Sequence, residues 1–417
     1  MLMLAIFTVY PMVLKVSGPN YRWVVLAFVG VAYIMFSAYQ YSISPALSSI
    51  GKDLGLSHAE LMSLMTAFMI GYGSFQVVSG ILSLVIGAKR TYVIALSIEA
   101  LATCLLGLST SFLDAFMYRF ASGLGAGLFI GASTAVLVQW FEESELGLAI
   151  GIAAGTCFGL GIALAESSVI LVEVLSWRNY LVLIGFIGLA IAAANAAFVR
   201  YRKVQVSKGA WVRLKLGLAR VIKHRSIWLI SLASIGAYGT ATAFLAMLPT
   251  YLTDFCRWDP ATASLASSIL GLGFIPFGPL AGAIADRLGR RKPIIILGSL
   301  LCGACYLTFL TKATSLVWAS VTVFPLAINM VLINLLAIVS EYPEIGAEYS
   351  SAAVSLSMEL VILGSMWIPW LAGMILDSSL ASLGTTPEAY TNVWITLSAL
   401  TLVVLLALPA KDVIKRR

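Results

Sequence analysis

Charge is what this sequence has least of. Asp, Glu, Lys and Arg together make up 11% of its 417 residues, against about 25% in soluble domains. A chain so poor in ionised side chains cannot present a water-facing surface along its whole length, which excludes a soluble enzyme, with or without a single anchor. Histidine is nearly absent. The two present, His58 and His224, fall in or beside loops, so a His-rich metal site or a His-based catalytic triad in the core is excluded. No glycine-rich phosphate loop ending in Gly-Lys-Ser/Thr occurs, so ATP is not the expected energy source, and no cofactor or metal is expected. The five cysteines form no secreted disulfide pattern. Cys302-x-x-Cys305 lies inside an apolar stretch that lacks the partners of a redox or metal pair, and reads as packing. No filter-like or pore-lining repeat points to a channel.

What the chain has is apolar length. Hydrophobic residues make up 60% of it, against about 45–50% in soluble domains, and the mean hydropathy is +0.97. The excess falls into segments at 23–47, 60–86, 91–110, 114–140, 147–175, 180–199, 227–252, 261–284, 293–311, 315–340, 351–376 and 392–409. Each can cross a hydrocarbon layer of ~30 Å as a helix. Helices are required because lipid offers no partners to an open backbone.

One loop occurs twice. Gly282-Ala283-Ile284-Ala285-Asp286-Arg287-Leu288-Gly289-Arg290-Arg291-Lys292 has a degraded counterpart 202 residues earlier, running from Gly80 to Arg90. Glu142 and Glu344 repeat at the same offset, each in an acidic loop after the fourth span of its half. Duplicated halves of this kind build two bundles that rock about a shared site. The predicted fold is therefore an all-α membrane protein, twelve transmembrane helices in two six-helix bundles around a central cavity. Its expected parts are a lead-in (1–22), an N-terminal bundle (23–199), a basic linker (200–226), a C-terminal bundle (227–409) and a basic tail (410–417). The apolar start of the lead-in is too short to span and has no basic n-region, so it reads as interfacial rather than as a signal peptide.

Charge placement orients the bundles. With both ends on one side, the loops there hold most of the 26 basic residues, including nine Lys/Arg between Arg200 and Arg225. That bias puts both termini and the linker in the cytoplasm of a plasma-membrane protein. The net charge of +7 is then an orientation signal. Nucleic acid is not an expected partner, because the basic residues are dispersed among loops. Within the linker, Trp211, Leu214, Leu218, Val221 and Ile222 recur at helical spacing with Arg213, Lys215, Arg220 and Lys223 between them. This pattern fits a helix lying on the inner leaflet among membrane lipids; a solvated linker is the alternative. Ion pairs between the acidic loops and the basic motif loops would close the cytoplasmic face. Glycines recur every fourth residue at 123, 127 and 131, and again at 147, 151, 155 and 159, which predicts close helix contact.

Twelve spans in a 6+6 arrangement, with Gly282, Asp286, Arg287, Gly289, Arg290 and Arg291 in the repeated loop, resemble the major facilitator superfamily. Arg119-x-x-x-Gly123-x-Gly125-x-Gly127 is similar to the family's fourth-helix motif, and Trp177-Arg178 also looks family-like. The resemblance covers about Arg22 to Ala410. It implies a cavity open alternately to each side and solute transport coupled to protons or to an exchanged solute, with the loop motif as a cytoplasmic gate. Two departures stand out. Leu84 and Val85 replace the expected Asp and Arg in the first-half loop, and Thr156 replaces the proline of the drug-exporter motif in the fifth span.

Intramembrane charges are few, and such groups ordinarily face a partner or an aqueous cavity. Glu359, Glu166 and Glu99, in that order, are the candidates for carrying a proton, since a carboxyl group there can be loaded from whichever side admits water. Arg119 can hold an anionic solute bidentately, or pair internally with Glu173. Tyr39, Gln40, Tyr41 and Gln76 from the first half, with Tyr238, Thr242, Asn329 and Asn334 from the second, are candidates for lining a polar cavity. The expected function is a secondary transporter, monomeric, with a small organic anion as the favoured solute, by proton symport or exchange. A neutral sugar-like metabolite, export of hydrophobic compounds and a non-transporting sensor are the alternatives.

Overall fold

The computed structural model describes residues 20–200, 221–311, 313–341 and 350–407. Most of the lead-in, most of the linker with its expected surface helix, Glu344, Glu348 and the tail lie outside these residues. Among those described, eleven helices are long and apolar enough to cross a membrane. The second of them, His58–Leu106, has 49 residues, about 73 Å at 1.5 Å per residue and too long for one crossing of ~30 Å. It breaks at Gly87, whose φ of 93° is open to glycine, so the chain crosses twelve times.

The first six crossings are α1 (Tyr21–Tyr41), α2 (His58–Leu82), α3 (Ala88–Leu106), α4 (Phe112–Val138), α5 (Glu145–Glu166) and α6 (Trp177–Phe198). The second six are α7 (Arg225–Thr250), α8 (Pro260–Leu288), α9 (Lys292–Thr308), α10 (Thr314–Glu341), α11 (Ala353–Leu383) and α12 (Pro387–Leu405). In the first bundle α4 packs on α2 and α3, α6 on α3, and α1 on α5; in the second α10 packs on α8 and α9, and α7 on α11 and α12.

Local chemistry fixes several ends. Ser57 and Glu60 form a reciprocal capping box at the start of α2. Asp259 caps α8, ahead of Pro260; the Thr262 hydroxyl and amide hold its carboxyl below the usual carboxylate range. α1 stops at Tyr41, short of the expected end at 47, because Pro45 has no N–H to continue the helix and its ring would crowd the carbonyl four residues back. α5 stops at Glu166, not at 175. The hydroxyls of Ser167 and Ser168 both turn back to the Leu164 carbonyl, at 3.0 and 2.7 Å, and compete with the helix ladder. A separate short helix, Val169–Leu175, follows.

The glycine stripes behave differently. A Cβ on Gly123 would sit 2.0 Å from the Phe68 carbonyl oxygen, and one on Gly71 2.3 Å from that of Phe120, so α2 and α4 meet backbone to backbone. On α5, Gly161 and Gly159 are similarly crowded, whereas Gly147, Gly151 and Gly155 have nothing within 4 Å of a Cβ among the described residues. The expected close contact therefore holds for only one end of that stripe. The largest apolar core explains which end. It runs from Tyr41, Leu47 and Leu61 into Phe244, Tyr251 and Trp394, so the two bundles share one core on the side opposite the basic loops.

Candidate functional site

Arg119 is fully buried on α4. Its Nη1 donates to the Tyr39 carbonyl at 2.9 Å and Nη2 to that of Gln40 at 3.0 Å, while Nε donates to Leu64 at 3.2 Å. The first two are carbonyls at the end of α1, where the helix ladder runs out; that of Tyr39 also accepts from the Ser42 hydroxyl at 2.9 Å. The guanidinium also lies 4.6 Å from the centre of the Phe68 ring. Arg119 thus ties the end of α1 to α2. It does not pair with Glu173, which is exposed, and among the described residues it forms no ion pair with Glu99 of α3 either. Glu99 is fully buried and neither of its carboxyl oxygens has a hydrogen-bond partner among the described residues. Tyr39 turns toward α6, its hydroxyl 3.4 Å from the Ile184 carbonyl, over Gly188, where a Cβ would collide with it.

Gln40 points the other way. Its Nε2 lies 3.5 Å from the hydroxyls of both Tyr41 and Tyr238, and its Oε1 has no partner. This contact joins α1 of one bundle to α7 of the other. Thr242, one turn along α7 from Tyr238, donates to the Tyr238 carbonyl at 2.9 Å. Gln76 is half-buried on α2 with Oε1 unpartnered. Asn329 donates to the Pro325 carbonyl at 2.7 Å. Glu359 is half-buried on α11, and the nearby Ser357 meets Ser231 of α7 at 2.8 Å. Among the described residues no hydrogen bond connects Gln76, Asn329 or Glu359 to the Gln40–Tyr238 contact.

Opposite the basic loops, polar groups cross the seam. Glu166 is buried; one oxygen accepts from Ser44 at 3.2 Å and the other has no partner. Ser44 also lies 2.9 and 3.2 Å from the Leu245 and Ala246 carbonyls of α7. Asp377 of α11 caps α2 across the seam. Its carboxylate accepts from the His58 and Ala59 amides at 2.9 and 2.8 Å and from the His58 ring Nδ1–H at 2.9 Å. Ser48 donates to Asp254, and Thr66 to the Met366 carbonyl at 2.6 Å. Ser44 and Asp377 were not legible as site residues: a lone Ser before Pro45 and an Asp near a helix end carry no motif.

On the basic-loop side, Gly289 has φ 68° and its N–H returns to the Ala285 carbonyl at 3.0 Å, the left-handed helix stop that glycine allows. The turn brings Arg291 back to Asp286 at 3.0 Å and across to Asn334 of α10 at 2.9 Å. Asn334 therefore stands with the loop motif. Gly282 looks onto Ile333, while Arg287 and Arg290 are exposed. Of the first acidic loop, Glu145 pairs with Arg22 at the start of α1, within its own bundle. The five cysteines form no disulfide among the described residues, and Cys302 and Cys305 are buried.

Comparison with known proteins agrees with this architecture. A family model described as Major Facilitator Superfamily matches residues 26–363 and 230–414. A probable sulfoacetate transporter of Cupriavidus necator is 22% identical over 284 residues, covering 65% of this chain and 66% of that protein. A hexuronate transporter of Bacillus subtilis is 26% identical over 281 residues, covering 64% and 65%. The chain thus spans just under two thirds of the length of these relatives. A bacterial homolog of the human lysosomal transporter Spinster, solved in an inward-facing and occupied conformation, superposes with a TM-score of 0.72 at 15% identity, over 93% of this chain and 95% of that one. Twelve apolar crossings in two bundles, the Asp286–Arg291 loop and a family model matching most of the chain lead to one conclusion: this chain belongs to the major facilitator superfamily.

Proposed function

We propose that the protein is a secondary carrier of the plasma membrane, its termini cytoplasmic, which moves a small solute by alternating access. The observation that carries this reading is an asymmetry. On the side opposite the basic loops, Ser44, Ser48, His58 and Thr66 of one bundle bond to Ala246, Asp254, Asp377 and Met366 of the other. On the basic-loop side, Gly147, Gly151 and Gly155 of α5 have no neighbour within 4 Å of a Cβ among the described residues. A cavity closed outside and open inside is one end of such a cycle. The basic loops then face the cytoplasm.

The solute is a small organic anion, moved with protons or by exchange. The relatives named for sulfoacetate and hexuronate support this choice. Glu166 supports proton coupling, because the buried carboxyl stands on the seam that must part when the outside opens. A neutral polar solute is the second reading: Arg119 is bound to backbone carbonyls, and the groups meeting between α1 and α7 are the uncharged Gln40, Tyr41 and Tyr238.

Uptake into proteoliposomes tests both. Radiolabelled hexuronate, galactonate and sulfoacetate are offered beside sugars, with an inward-acid pH step as the alternative driving force. The expected result is uptake of organic acids, reduced in Glu166→Gln under a pH gradient. Uptake of sugars alone would move the assignment to the neutral reading, and uptake of none would remove the carrier reading for these classes.

A further inference from the structure

A cavity of about 280 Å³ opens on the side opposite the basic loops, between the bundles. One wall comes from the short helix Leu47–Leu54 and the start of α2, the other from the end of α7 and the end of α11. It is close to the lower end of the usual range for small-molecule sites, about 300–1,000 Å³. Much of its lining is apolar, including Leu61, Met62, Phe255 and Leu380.

Beside the Tyr390 phenol, three ionisable groups line it: Lys52, His58 and Asp254. Two are already engaged. Asp254 accepts from the hydroxyls of Ser48 and Thr253, and the His58 ring is bonded to Asp377. Asp53, next to Lys52 in the chain, is held by Arg178 at 2.9 Å and by the Trp177 indole at 3.1 Å. Lys52 is exposed and makes no hydrogen bond or ion pair among the described residues. The cavity therefore combines a largely apolar lining with one uncommitted ammonium at its rim.

We propose that this cavity is a second ligand site, separate from the Gln40–Tyr238 contact, for a small organic carboxylate with an apolar body. The carboxylate meets Lys52, and the body lies on Leu61, Met62, Phe255 and Leu380. Because both bundles line the site, it exists only while the outer seam is closed. A bound ligand therefore holds the seam shut and favours the arrangement seen here, since a ligand shifts an equilibrium only by its preference for one state. The site stands whatever the central solute is.

The test uses the full-length protein in lipid nanodiscs with Thr385→Cys at the rim of the cavity and the native cysteines replaced. A thiol reagent is added with hexanoate, hexylammonium or hexanol. Hexanoate is expected to slow labelling of Thr385→Cys. Lys52→Gln is expected to weaken that protection about tenfold, the loss of one charge-assisted contact, and Met62→Trp, which fills the cavity, to abolish it. Gln40→Ala, in the central contact, is expected to leave it unchanged. Equal protection by hexanol, protection that survives Lys52→Gln, loss of protection in Gln40→Ala, or no protection by hexanoate would each overturn the proposal.

Discussion

At the residue scale, Arg119 shows how one side chain can be located by sequence and still be assigned by structure. A lone arginine in an apolar span is visible at once, and its cost in lipid marks it as a residue with a task. Its partners are not visible, because they are backbone carbonyls created by the early end of α1. Pro45 is the signal for that end, but nothing in the sequence says which arginine answers it. Removing the guanidinium takes a donor from the Gln40 and Leu64 carbonyls, while the Tyr39 carbonyl keeps the Ser42 hydroxyl at 2.9 Å. Arg119→Gln is expected to lower stability by about 1.5–3 kcal/mol, the loss of charge-assisted hydrogen bonds, in chemical or thermal unfolding. Arg119→Lys should recover little of it, since an ammonium cannot reproduce the fork that spans Tyr39 and Gln40. Full stability in Arg119→Gln, with solute binding alone abolished, would instead make it a solute ligand. Asp377 belongs at the same scale. Asp377→Ala removes a cap and an inter-bundle bond together, and should weaken the closed seam by about 1 kcal/mol, read as faster thiol labelling of a cysteine at Ser48.

At the scale of the element, the two glycine stripes separate structure from motion. Both read alike in sequence, at every fourth residue, yet one is filled by neighbours, while three of the four positions of the other meet none among the described residues. Gly123→Ala must push a methyl into the Phe68 carbonyl and is expected to destabilise the protein by about 1–3 kcal/mol. Gly155→Leu meets open space among the described residues and should leave the melting temperature nearly unchanged. If that face of α5 must accept α8 when the inner side closes, the same variant should stop turnover. A Gly155→Leu protein that transports at the normal rate would show that the face stays open throughout. The helix count was legible because apolar length is a coarse signal. The ends of α1 and α5 were not, because they depend on one proline and on two serines that bond backward.

At the scale of the whole molecule, the duplication visible in the loop from Gly282 to Lys292 carries the account. Repetition predicts two bundles, and the structure has them. It does not predict their tilt, which is set by contacts between unrelated residues: Ser44 with α7, Asp377 with α2. The site was correspondingly half legible. Gln40 and Tyr238, from the two halves, lie against each other, while Asn334 belongs to the loop motif and Tyr39 faces α6. The central claim is that the seam and the inner face open in alternation. Spin-label distances test it directly, with one pair at Glu173 and Thr385 on the outer side and another at Val85 and Arg290 on the inner side, in nanodiscs with native cysteines replaced. The account predicts two populations in each pair, the outer short when the inner is long, exchanging weight between acid and alkaline pH or on adding a transported organic acid. A single distance in each pair, unmoved by pH or by any of the acids, would contradict it.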